Sequence, residues 1–246
     1  GVRFADLLAE VKPLANARAI RFVSAERPYE DSLTLDQALA PDAMLAFGMD
    51  PRLNGYDQNR GINLYSDVLL RLRNTPGVTA VAAANPGPLT SSGRGGNITA
   101  EGYQAKEGEY TGAAIRGVTP GYFAALFIPM IAGREFTDKD AKGAPQVAIV
   151  NEAFAKKYFG GRNPVGMKMR FGSSNKPPDV EIVGLARDYK HGDLREEIEP
   201  AAFMPLAQDT FEAVTFYVRA NRDEARMGRA VREAVGPDID IGIDVH

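Results

Sequence analysis

Cysteine is absent from the 246-residue chain, and histidine occurs only at His191 and His246. Without cysteine there is no disulfide and no thiolate-ligated metal, so the sequence carries no redox mark of its compartment. Two histidines are too few for a histidine-based zinc site, and neither accompanies a serine motif for nucleophilic hydrolysis. Long apolar runs are also missing. The best candidate, AALFIPMIAG from Ala124, falls far short of the about 18 to 20 residues that a spanning helix needs. The N-terminus lacks the basic and apolar blocks of a secretion signal, and no GxxxxGK[ST] phosphate loop occurs. Charge of one sign is scarce as well: a net charge of −3 gives no electrostatic reason to expect nucleic acid or an anionic membrane surface.

What is present is organised around Gly117 to Phe159. Thr119 is placed to cap a helix whose first position is Pro120, because a hydroxyl satisfies an orphan amide and proline has none to leave unpaired. Phe123 and Phe127 then fall four apart, on one helical face. The chain breaks at Pro129, turns at Gly133, and runs through Val147, Ala148, Ile149 and Val150 as a short buried strand. Asn151 caps the next helix, Glu152 suits its positive end, Phe154 and Tyr158 share a face, and Gly160 with Gly161 stops it. On this reading Ile149 lies between Phe123 and Phe154 in one core.

Two framing segments repeat one punctuation. Met44 to Asp50 reads as a strand, Ile62, Tyr65, Val68, Leu69 and Leu72 stripe a helix, and Val78 to Ala84 reads as a second strand. At the other end Val214, Phe216 and Val218 alternate, Met227, Val231 and Ala234 stripe a helix, and Ile239, Ile241, Ile243 and Val245 alternate with polar residues. Two βαβ units of this kind combine into a four-stranded sheet with two helices on one face. Leu45 with Phe47, or else Met44 with Ala46, would face its core. The segment between, 86–208, is too long for a loop and reads as an inserted mixed α/β subdomain. The fold class expected is therefore α+β: a porter-like subdomain (44–85 and 209–246) carrying an insertion (86–208), behind an N-terminal extension (1–43) of different origin.

Within the insertion, Pro86 to Asn97 is rich in Gly, Ser and Pro and reads as a mobile loop. Ser91, Ser92, Arg94 and Asn97 are its candidate partner contacts, since exposed loops often carry binding residues. Met167 to Phe171 and Val180 to Val183 form a hairpin with its tip at Gly172 to Pro178. Chemistry is otherwise rejected. Asp138, Asp140 and Gly143 match three positions of a calcium loop, but Ile149 stands where a bidentate Glu is required, leaving a solvated acidic turn. Glu107, Glu109, Glu135 and the Arg195, Glu196, Glu197 cluster read as surface charge rather than acid/base pairs. No catalytic, cofactor-binding or metal-binding residue is assigned.

The order GVTPGYF, IPMIAGREF, VAIVNEAFAKKYFGGRNPVGMKM, VEIVGLARD and AAFMPLAQ resembles the periplasmic core domain of MacB-type (FtsX-like) ABC-transporter permeases. The similarity extends from about Pro51, through DPRLNGYD and LLRLRNTPGV, to the C-terminus. Residues 1–50, by contrast, resemble a segment of sulfite-oxidase-type molybdopterin domains, in which an upstream cysteine thiolate ligates molybdenum; here no cysteine exists.

The first resemblance implies a non-catalytic module on the periplasmic face of the bacterial inner membrane, excised from a membrane-embedded parent. Such a module relays conformational change, works with a nucleotide-binding ATPase through the parent permease, and contacts a periplasmic adaptor. The alternatives are a molybdopterin-dependent oxidoreductase fragment and a small-ligand module with its site between the subdomains. Elemental analysis and calorimetry separate these readings: the purified chain should hold no molybdenum and show no ATP binding, and stoichiometric metal or micromolar ATP binding would refute the expectation.

Overall fold

The computed structural model describes residues 19–23, 30–34, 43–50, 52, 55, 57–87, 94–172, 177–190, 197–209, 213–220, 233 and 242–245. β1 (Ala19–Val23) and β2 (Glu30–Thr34) form an antiparallel pair by themselves. The remaining strands join one hydrogen-bonded sheet. The helices proposed for residues 4–11 and 34–39, and the striped segment 227–234, lie outside the described residues, apart from isolated positions.

One part of the sheet contains β3 (Ala43–Met49), β4 (Val78–Asn85), β12 (Val214–Ala220) and β13 (Gly242–Val245), in the spatial order β4-β12-β3-β13. β12 is antiparallel to both β3 and β4, which therefore run parallel on either side of it. The crossover between them is α1 (Gln58–Arg73), whose first turn is capped by Asp57 accepting from the Arg60 amide at 2.9 Å. Arg71 and Arg73 occupy the last turn, where the helix dipole favours cations.

The α1 stripe behaves as its spacing predicts. Tyr65, Val68 and Leu72 are buried against Phe47, Val81 and Phe216. The rings of Phe47 and Phe216 stack at 4.9 Å, with Tyr65 edge-on at 5.9 Å. Phe47 and Ala46 are both buried, in separate clusters, so the choice between two core-facing sets dissolves: both faces of β3 are covered.

The second part closes on itself. β6 (Gly112–Val118) pairs with β11 (Ala201–Pro205), which pairs with β8 (Val147–Asn151); β10 (Val180–Ala186), β9 (Lys168–Phe171) and β5 (Gly95–Ala100) then lead back to β6. β9 and β10 form the expected hairpin. A core drawing on all six strands of this ring, including Ile98, Ala113, Val150, Met169, Ile182 and Ala202, receives Phe154, Ala155, Tyr158 and Phe159 from α3 (Glu152–Phe159). A closed sheet this small has its interior filled by side chains, which explains the many alanines.

α3 begins and ends as the sequence predicts. Asn151 accepts from the Phe154 amide at 3.0 Å, and Gly160 takes the left-handed conformation at φ 64° that terminates the helix. β7 (Met130–Gly133) adds to β10 beyond β9. Gly133, at φ 74°, lies so close to the Val183 carbonyl that a Cβ would collide with backbone.

α2 (Tyr122–Ala125) departs from expectation. It starts at Gly121 in the left-handed region, not at Thr119-Pro120. The Thr119 hydroxyl instead accepts from the Ala83 amide at 2.8 Å, tying β4 to the chain beyond β6. The helix is one turn long, so Phe127 falls past its end, exposed, and shares no face with buried Phe123. Phe123 belongs to a third core, between the back of the four-stranded part and the outside of the ring, with Ala46, Ala82, Tyr217, Ile149 and Phe203.

Strand alternation therefore sends Ile149 to the Phe123 core while Ala148 and Val150 point to the Phe154 core. The expected single core is two. Phe123→Ala and Phe154→Ala should each cost about 3 to 5 kcal/mol. Their losses should add to within about 0.5 kcal/mol in the double variant, because they share no cavity; denaturant titration of the two single variants and the double variant checks this.

Candidate functional site

The segment that leaves β4 is anchored at both ends. Pro86 and Gly87 are buried, and Arg116, almost fully enclosed in β6, donates from Nη1 to both their carbonyls at 2.8 and 2.9 Å. A Cβ at Gly87 would collide with the hydroxyls of Tyr217 and Thr215, so glycine is required for this close approach. At the far end Arg94 grips Asp209 with both Nη atoms, at 3.0 and 2.7 Å, and lies 3.5 Å from the Met204 sulfur.

Of the predicted contact residues, Ser91 and Ser92 lie outside the described residues. Asn97 is exposed in β5, and its carbonyl accepts from the Gly172 amide at 2.7 Å. Arg94 is corrected. It is not a free loop cation but a half-buried fastener, paired with a carboxylate only 6% exposed. The partner stands 115 residues away in sequence, beyond the reach of any local pattern.

Behind this segment lies the junction of the four-stranded part with the ring. Buried Tyr122 of α2 shares a hydrogen bond with Tyr189 at 2.9 Å, and its ring meets those of Phe123, Phe203 and Tyr217. Burial pushes the Tyr189 hydroxyl up to about 12 and raises Tyr122 and Tyr217 well above the ordinary tyrosine range. These phenols stay neutral at physiological pH, so they hold geometry and do not move protons. Glu135 supplies the side-chain acceptor at the start of α2 that Thr119 was expected to provide. It accepts from the Phe123 amide at 3.1 Å, and burial raises its pKa.

Asp140 is buried rather than solvated: it accepts from both Arg134 Nη atoms at 2.8 and 2.9 Å and from the Thr137 amide at 2.8 Å. The hydrogen bonds from Arg134 hold its pKa below the usual carboxylate range. Glu109 accepts from the Tyr103 hydroxyl and the Lys106 amide, far in role from Glu135. His191, His246, Arg195 and Glu196 lie outside the described residues. Among the described residues no group of His, Cys, Asp and Glu is placed to hold a metal, and no helix is long and apolar enough to cross a membrane.

A four-stranded sheet is thus joined to a closed ring through a buried wedge. The periplasmic region of MacB from Actinobacillus actinomycetemcomitans has a similar fold, with a TM-score of 0.52 at 17% identity over 82% of this chain and 88% of that one. The extracellular domain of the noncanonic ABC-type transporter YknZ from Gram-positive bacteria matches with a TM-score of 0.50 at 16% identity, covering 82% of this chain and 99% of that one.

The family model for the MacB-like periplasmic core domain matches residues 25–235, and the chain belongs to that family. The match begins ahead of Pro51, where the sequence-level resemblance was placed. The "Probable syringafactin export ATP-binding/permease protein SyfD" of Pseudomonas syringae pv. tomato is 34% identical over 80 residues, 32% of this chain. That alignment spans only 11% of the relative's length.

The Arg94–Asp209 pair yields a measurable contrast. Arg94→Ala leaves a nearly buried carboxylate without its cation and should cost about 2 kcal/mol, whereas exposed Asn97→Ala should change stability by less than about 0.5 kcal/mol. Chemical denaturation of both variants checks it, and equal small losses would return Arg94 to the status of a surface residue.

Proposed function

We propose that this chain is the non-catalytic extracytoplasmic domain of an ABC-transporter permease, relaying conformational change driven by ATP hydrolysis on the nucleotide-binding part of the transporter. The family match over residues 25–235 carries this reading. The junction supports it physically. Among the described residues the buried carboxylates and phenols are held in hydrogen bonds and ion pairs and form no dry acid/base pair, while the packed cores are able to pass on a displacement.

In this reading β3, β4, β12 and β13 form the porter-like subdomain of two βαβ units. Residues 86–208 form the insertion, and 1–43 the N-terminal extension. The strand order β4-β12-β3-β13 supports the division, because each end strand is the parallel partner of an inner one, as split βαβ units require. The segment with Ser91, Ser92, Arg94 and Asn97 is the partner contact, with a periplasmic adaptor as the partner. Arg94 holds its base and the others supply the touching groups. The relative's name points to export as the direction of transport.

The placement is testable in the full-length parent. Alkaline phosphatase inserted after exposed Gly143 should be active, since the enzyme matures only outside the cytoplasm. An inactive phosphatase together with a fluorescent cytoplasmic reporter at the same position would overturn the periplasmic assignment.

A further inference from the structure

α2 ends in a hydrogen-bond pattern that normally calls for glycine. The Ile128 amide donates to the Phe123 carbonyl at 2.8 Å and the Phe127 amide to the Ala124 carbonyl at 3.2 Å, the paired bonds of a Schellman stop. The residue at the left-handed position of such a stop carries positive φ, where a Cβ is unfavourable. α3 places Gly160 there; α2 places Phe127, at φ 54°. Among the described residues Phe127 is the only one other than glycine with positive φ.

A strained phenylalanine that is also 56% exposed gains nothing from core burial, so its ring must be held by something else. That contact is across the junction. The guanidinium of buried Arg219, in β12, lies 3.2 Å from the Phe127 ring centroid, well inside the range of a cation–π interaction. Phe127 leads into β7, which pairs with β10 of the ring, whereas Arg219 lies in the four-stranded part, so the contact links the two.

Its position decides what it does. The backbone joins the two parts along a short line: Ala84 opposite Val118, Asn85 opposite Gly117, and Thr119 bonded to Ala83. A line of this kind permits rotation about itself. Arg219 stands opposite Ala80 on β12, the strand beside β4, and so lies about 4.8 Å to the side of the line that β4 follows. A tie at that distance from the axis resists rotation in a way that bonds on the axis cannot.

We propose that Phe127 is a latch: its left-handed backbone throws the ring onto Arg219 and makes the four-stranded part and the ring one rigid lever. The latch is a property of the domain itself and stands independently of the transport reading. Because the chain has no cysteine, spin labels go only where they are placed. Labels at Asp67→Cys, exposed on α1, and Lys156→Cys, exposed on α3, report the distance between the two parts by pulsed electron resonance.

With Phe127 intact the distance distribution should be narrow. In Phe127→Ala and Phe127→Gly it should broaden about twofold, while Phe127→Trp, which keeps a ring over the guanidinium, should stay narrow. Phe127→Gly separates the latch from mere structure, since it relieves the backbone and should melt no lower than Phe127→Ala even as the distribution broadens. A Phe127→Gly distribution as narrow as that of the parent, or a Phe127→Trp distribution as broad as that of Phe127→Gly, would overturn the proposal.

Discussion

The structure depends on the few residues where β4 hands over to β6. Two register pairs and the Thr119 bonds to Ala83 are the backbone link between an open four-stranded sheet and a closed six-stranded ring. So short a link cannot by itself fix two bodies, because main-chain hydrogen bonds along a line leave the angle about that line free. The single turn of α2, with the Phe127 contact that follows it, supplies the missing constraint. Its Tyr122 and Phe123 fill the space between the two parts, and Glu135 satisfies the amide at its start. Aromatic burial on this scale is where most of the junction's free energy lies, since each ring removes a large apolar area from water.

The ring has its own fastening in Asn151. Fully buried, its side chain accepts from the Phe154 and Ala201 amides and donates to the Glu199 carbonyl, so one residue caps α3 and holds the approach to β11. Next to it Glu152 accepts from the Asp188 amide while Asp188 accepts from the Ala153 amide, a reciprocal lock between the start of α3 and the end of β10. Buried polar groups left unpaired are costly. Paired as they are, they fix a unique register, which apolar packing alone would specify more weakly.

The same fastening fixes the charge state of several buried groups. Burial raises the Tyr122, Tyr189 and Tyr217 phenols above the ordinary tyrosine range, and the buried Asp140 carboxylate is held ionised by Arg134. Asp140 has a depressed folded-state pKa, so the stability it contributes is present above its unfolded value and is lost as pH falls through the folded one. Membership of the MacB-like periplasmic core family fits this economy of chemistry.

The sequence by itself determined what depends on neighbours a few residues apart. The stripe of α1, the Asn151 cap and Gly160 stop of α3, and the buried strand β8 were legible because helix periods, caps and short apolar runs are local. So was the family, from short motifs in a fixed order. The tertiary structure alone decided the partners of Arg94 and Arg219, the closure of six strands into a ring, and the separation of Phe123 from Phe154 into two cores. Each depends on which residue stands opposite across a sheet or a junction, and that is set by packing between segments as much as 115 residues apart. Thr119 and Phe127 show the limit most clearly. Local propensity offered a capped helix, but a hydrogen bond to Ala83 and a ring contact with Arg219 outweighed it, because tertiary partners contribute more than the few tenths to about 1 kcal/mol by which local preferences differ.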